Sequence, residues 1–159
     1  MKGTLWNRRL IAVAKEEAAH TTLNVEKRVR EVVVPMMGEN EFFAGMEAKD
    51  VMFHAFAIGV NRRMNIPLQS RCSGGYSRKE YLRPREQVLI RAVQLADNGC
   101  QQAEILRDYS AALDKFEQYA NGGFQFIEGE LDRNVSADEL ANGYVDEMNK
   151  LYDEYMGGK

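Results

Sequence analysis

Apolar residues recur with a helical period through most of this chain, and they divide it into a small set of amphipathic segments. Trp6, Leu10, Val13 and Glu17 share one helical spacing, with Ile11 and Ala14 widening the apolar side; this predicts a first short helix ending near His20-Thr21-Thr22. Asn24 is placed to cap a second helix from Val25 to about Val34, with Val25, Val29, Val32 and Val33 on one face. The β-branched run Val32-Val33-Val34 is compatible with a strand as well, and Pro35 is expected to end the element. Phe42-Phe43, after a polar loop, read as core plugs. Ala48 to Ile58 is apolar nearly all round, which predicts a buried central helix with Gly59 as its terminator.

Beyond Gly59 the helical signal fades. Ile66-Pro67-Leu68 and Tyr76 to Arg83, joined through Cys72-Ser73-Gly74-Gly75, suggest a small hairpin or loop insertion over residues 61–84. Pro84 suits the first turn of the next helix, whose apolar face is Val88, Leu89, Ala92, Val93 and Ala96, with Asn98-Gly99 as its stop. A brief helical turn is expected at Gln102 to Leu106. Leu113, Phe116, Ala120, Phe124, Ile127 and Leu131 then form the longest stripe, running through Gly122-Gly123. Two glycines inside a helix cost roughly 1 kcal/mol each relative to alanine, so a close helix contact or a kink is expected there. Ser136-Ala137-Asp138-Glu139 is a capping box opening a last helix with Leu140, Tyr144, Met148, Leu151 and Tyr155 on one face.

The expected fold is all-α or mostly α: a single helical domain over residues 1–159, about five helices with a small basic β-hairpin or loop insertion at 61–84 and an acidic C-terminal helix at 136–159. At 159 residues, 45% apolar and 28% charged, the chain can bury a core without disulfide or metal. Cys72 and Cys100 have no C-x-x-C spacing and read as free thiols of a reducing cytoplasm. No apolar run approaches a membrane span, so a cytoplasmic protein without membrane contact is expected.

Charge changes the picture. The net is only −3, yet Asn61 to Arg91 holds eight basic residues against two acidic, whereas Glu104 to Lys159 holds five against thirteen. Such segregation is an argument about partners. Arg62, Arg63, Arg71, Arg78, Lys79, Arg83 and Arg85, with Tyr76 and Tyr81 between them, make the candidate nucleic-acid-binding set: cations neutralise phosphates, and tyrosines bond to phosphate or stack on bases. Ion pairing with the acidic tail, within the chain or between copies in a homo-oligomer, accounts for the same residues. Chemistry is otherwise sparse. His20 and His54 belong to no metal-binding spacing, the carboxylates of the last two helices follow a solvated face, and Ser73 and Ser77 have no activating partner. Neither catalysis, a metal nor a cofactor is expected.

A run of features in fixed order carries a resemblance. Lys49-Asp50 starts the apolar helix, Arg62-Arg63 and Pro67-Leu68 follow, then the Glu86 to Ala96 helix, and finally Phe116-Glu117-Gln118-Tyr119-Ala120-Asn121-Gly122-Gly123-Phe124. The chain resembles, from about Val25 to Leu131, small accessory proteins encoded beside DNA phosphorothioation (Dnd-type) defence loci, in which a similar "EEYANGG" helix occurs. Gln118 stands where that pattern has an acid, and the basic segment is longer here. The resemblance implies a bacterial or phage-borne antiviral setting, with modified DNA or another defence-system protein as partner. Two roles fit: a DNA-associated accessory protein acting through the basic centre, or a protein–protein adaptor using Phe116, Tyr119, Gly122, Gly123 and Phe124 with the acidic tail. A phage-encoded inhibitor with an acidic decoy surface is a third.

Overall fold

The computed structural model describes residues 22–99 and 103–157. The helix expected around Trp6 and Leu10, His20 and Cys100 lie outside the described residues. The element order is β1 (Thr22–Leu23), a π-helical turn (Val29–Val33), α1 (Val34–Glu39), α2 (Ala48–Asn61), β2 (Ser77–Arg78), a 3-10 turn (Lys79–Tyr81), α3 (Pro84–Asp97), a second 3-10 turn (Ala103–Arg107), α4 (Tyr109–Asp132) and α5 (Ala137–Met156). Helices therefore dominate, and the only sheet among the described residues is two short strands, as a mostly α domain requires.

The core is built where α2 crosses α4. Both stripes read from the sequence are buried: Met52, Ala55 and Phe56 from α2 meet Leu113, Phe116, Ala120, Phe124 and Ile127 from α4. The rings of Phe56 and Phe116 lie 4.9 Å apart. Two glycines let the two backbones touch, and a third admits the segment that follows α2. A Cβ built on Gly123 would fall on the carbonyl oxygen of Ala55, one on Gly59 would fall on that of Tyr119, and one on Gly122 on that of Met64. Gly59 is thus not the terminator of α2; the helix continues to Asn61, and Arg63 supplies the left-handed residue past its end at φ 55°.

Pro35 does not stop its element either. The π-helical turn before it passes directly into α1, and the Val34 N–H reaches back five residues to the Val29 carbonyl. That wider turn relieves the clash between a proline ring and the carbonyl four residues earlier. Val25, Val29, Val33 and Met37 are buried while Val32 turns outward at 37% exposure. Asn24 is no cap; it bonds to Glu117 instead.

Residues 61–84 do not fold back on themselves as a hairpin. β2 pairs antiparallel with β1, Thr22 opposite Arg78 and Leu23 opposite Ser77. Further bonds run Tyr76 N–H to Leu23 O (2.8 Å), Cys72 N–H to Val25 O (2.9 Å) and Lys27 N–H to Ser70 O (2.7 Å). Gly74 and Gly75 do turn the chain, both with φ above +70°. The strand it returns to comes from the N-terminal side.

α3 starts at Pro84 as expected, but Ile90 and Gln94 face inward, and Val88 and Leu89 stand 65% and 52% exposed. The capping box at Ser136 and Glu139 opens α5. Leu140 is buried and Tyr144 and Leu151 half-buried, whereas Met148 points out.

Candidate nucleic-acid interface

The Glu117 to Gly123 segment of α4 is the platform on which the basic loop rests. Gln118 accepts the Ile66 N–H at 3.1 Å, and Asn121 Nδ2 donates to the carbonyls of Ile66 (3.2 Å) and Pro67 (3.5 Å). Gly122 leaves room for the Met64 backbone. Glu117, buried to 1% exposure, accepts from the Asn24 backbone at 2.8 Å and from its side chain at 3.2 Å, and lies 3.5 Å from the Arg71 guanidinium. Tyr119 donates its hydroxyl to Asp97 at 2.8 Å, fastening α4 to the end of α3. From the other side Arg30 donates to the carbonyls of Ser73 (2.8 Å) and Gly75 (3.0 Å).

These anchors sort the cations of the sequence reading. Arg62 lies 3.7 Å above the Phe126 ring and 3.2 Å from Glu147 of α5, so it joins α2, α4 and α5. Arg71 is held between Asp114 and Glu117, each at 3.5 Å. Intramolecular pairing with acidic helices therefore accounts for these two. Arg63, Arg78, Arg83 and Arg85 are exposed and have no carboxylate at ion-pair distance among the described residues. Lys79 is half-buried. Tyr81 is 57% exposed. Tyr76 is half-buried, and burial pushes its hydroxyl up to about 12, with Arg30 opposing the shift; it remains a neutral donor.

Three of these exposed arginines lie at opposite ends of α2. Arg63 lines a groove of about 830 Å³ with Leu89 of α3, and Arg85 precedes Leu89 by one turn. Arg78 and both tyrosines line a hollow of about 450 Å³ beside the first turn of α2. The fourteen residues of α2 separate these ends by about 20 Å.

The five residues assigned to a partner surface are placed otherwise. Phe116 and Phe124 are fully buried, Tyr119, Gly122 and Gly123 are buried too, and all serve the contact of α4 with α2, Met64 and Asp97. Exposed apolar side chains lie instead on α5, where Val145, Met148, Tyr152 and Met156 stand 51–68% exposed at helical spacing. His54 sits among the rings of Phe42, Phe43 and Tyr144, and desolvation lowers its pKa. Cys72 is a buried free thiol. Among the described residues no group of three or more His, Cys, Asp or Glu side chains could hold a metal ion, and no helix is long and apolar enough to cross a membrane.

Sequence reasoning missed Arg30, Asn121 and the buried Lys49. The acid at Glu117 carried no periodic signal beyond standing next to the apolar stripe. No curated protein and no solved structure matches the chain. A protein family does: DNA sulphur modification system-associated protein 4 matches residues 24–154, which takes in most of α5, beyond the reach of the resemblance read from the sequence. A match over that much of a chain with this helical order settles its kinship: the protein belongs to the DNA sulphur modification system-associated protein 4 family.

Proposed function

We propose that the chain is a non-catalytic accessory protein of an antiviral DNA sulphur modification system that contacts DNA through its basic loop. The observation that carries this is the set of exposed arginines, Arg63, Arg78, Arg83 and Arg85, without carboxylate partners among the described residues of a chain of net negative charge. Exposed guanidiniums that hold no carboxylate among the described residues are available to meet the phosphates of an incoming polyanion. Groups about 20 Å apart along α2 span about six phosphates of one strand at 3.4 Å each. Arg63 adds a second hint. It holds a left-handed backbone where glycine is the usual choice, at a cost of about 1 kcal/mol, so the side chain itself is wanted there.

The test is fluorescence anisotropy on a short duplex, with and without phosphorothioate linkages, at two salt concentrations. The expected result is binding that weakens steeply with salt. In the Arg63→Glu/Arg78→Glu/Arg85→Glu variant, affinity drops and the log–log salt slope falls by about one for each arginine lost. Absence of binding at low salt overturns the reading. A second reading is favoured by the apolar stripe of α5: an adaptor that docks another component of the system on Val145, Met148, Tyr152 and Met156. Capture of a component of the same locus by the wild type but not by Met148→Asp/Tyr152→Asp would decide for it.

A further inference from the structure

The hollow at the start of α2 is donor-rich and acceptor-poor. Lys49 is 92% buried yet sits in the first turn of the helix, the positive end of its dipole, where a cation is least welcome. It makes no hydrogen bond among the described residues, and its one ion contact is the neighbouring Asp50 at 3.7 Å, a carboxylate that is itself 41% exposed and therefore screened. The first turn carries no side-chain cap, which leaves its leading amides as orphan donors. The Tyr76 hydroxyl, half-buried in the same wall, has no hydrogen-bond partner among the described residues, and Arg78 has none either. Glu47 is the one acid lining the hollow, and it is exposed.

The stem of Lys49 is what is buried; its ammonium is not cut off from solvent and belongs to the lining of the hollow, beside one weakly held carboxylate. We infer that this hollow is an anion site for a phosphate group, with Lys49 and Arg78 supplying charge and Tyr76 and the first-turn amides supplying hydrogen bonds. The two cations come from different elements, α2 and β2, and converge on one concavity whose volume of about 450 Å³ exceeds that of a phosphate. The phosphate can therefore belong to a nucleic acid or be free. Tyr76, with its hydroxyl displaced to about 12, stays a neutral donor throughout the working range. The inference goes beyond DNA contact by the exposed arginines and does not depend on it.

The experiment uses the full chain and inorganic phosphate, read by thermal shift against chloride at equal ionic strength and by phosphorus NMR line broadening. Phosphate is expected to raise the unfolding midpoint in the wild type and in Arg107→Gln, an exposed arginine before the opposite end of α4 that does not line the hollow. Lys49→Met, close in shape to the lysine stem, is expected to fold and to bind phosphate about ten- to hundredfold more weakly, the worth of one charge-assisted hydrogen bond. Arg78→Gln, on an exposed side chain that leaves folding intact, is expected to weaken the response as well. Tighter competition by a 5′-phosphorylated oligonucleotide than by its dephosphorylated form would assign the site to nucleic-acid ends, equal competition by both to internal diesters, and none by either to free phosphate. No phosphate-specific shift in the wild type, or one undiminished in both Lys49→Met and Arg78→Gln, overturns the inference.

Discussion

Gly123→Ala is the sharpest test of how the core is held. Alanine is the better helix former, so in an exposed helix the change gains about 1 kcal/mol. Gly129, six residues further along α4, offers that control: it is exposed, and a Cβ there meets nothing within 4 Å. At Gly123 the new methyl falls on the Ala55 carbonyl, which is backbone and cannot rotate away. The helices must part by more than about 1 Å to reach ordinary contact, and a gap of that size forfeits up to about half of each flanking dispersion well. The contacts at risk include Phe56 on Phe116 and Ala55 against α4.

Overpacking of this kind costs typically about 1–3 kcal/mol, and more where only backbone can yield. With the propensity gain already subtracted, Gly123→Ala should lose about 2–4 kcal/mol, a large share of the 5–15 kcal/mol typical of a domain. Gly129→Ala should gain up to about 1 kcal/mol. Urea denaturation of both variants measures the difference directly, and the midpoint of thermal unfolding should separate them by roughly 2–4 °C per kcal/mol. If Gly123→Ala were as stable as Gly129→Ala, the close α2–α4 crossing would be wrong, and with it the reason for the paired glycines.

Glu117→Ala should destabilise by about 2–4 kcal/mol, since it strands the Asn24 N–H and removes one of the two carboxylates that hold Arg71; Glu117→Gln keeps an acceptor and should lose about half as much. Amide exchange at Asn24, faster in the alanine variant than in the glutamine one, checks the assignment. His54 titrates below its ordinary value of 6.5 because burial disfavours the imidazolium. The unfolded chain then binds more protons below that value, so stability should fall as the pH drops below 6.5 and level off below the lowered pKa. Tyr144, which faces His54, is displaced to about 12 and does not titrate in this window. Urea midpoints between pH 5 and 7 should lose this slope in His54→Leu.

Legibility in the sequence followed the length of the periodic signal. α4 was readable because Leu113, Phe116, Ala120, Phe124 and Ile127 repeat over four turns, and α5 because its capping box is chemically specific. α3 was placed correctly but turned: Ile90 and Gln94 are the buried positions, and a buried glutamine whose Nε2 donates to the Asp108 carbonyl looks polar in a sequence. Pro35 and Gly59 misled for one reason. Both were read by local propensity, while a π turn and a helix crossing decided their fate. The strand pairing of Ser77–Arg78 was invisible because its partner lies over fifty residues away at Thr22–Leu23. The basic set was legible as a set; which members are paired within the chain was not, since Glu147, Asp114 and Glu117 approach only through the fold.

That division bears on where function should be sought. The Phe116 to Phe124 segment carries the most specific part of the resemblance read from the sequence, yet its side chains are committed inward: Phe116 and Phe124 to the core, Glu117 and Asn121 to the basic loop, Gly122 and Gly123 to backbone crossings. A segment so occupied acts by positioning. It holds residues 64–72 against α4, and with Arg30 it fixes the frame from which Arg63 and Arg78 project. Substitutions in the segment should therefore reduce stability and DNA contact together, whereas Arg78→Gln should change binding alone. A variant such as Asn121→Ala that kept the fold yet released the loop would separate the two effects. Its Nδ2 bonds to Ile66 and Pro67 are the direct side-chain link between this segment and the surface that we propose meets DNA.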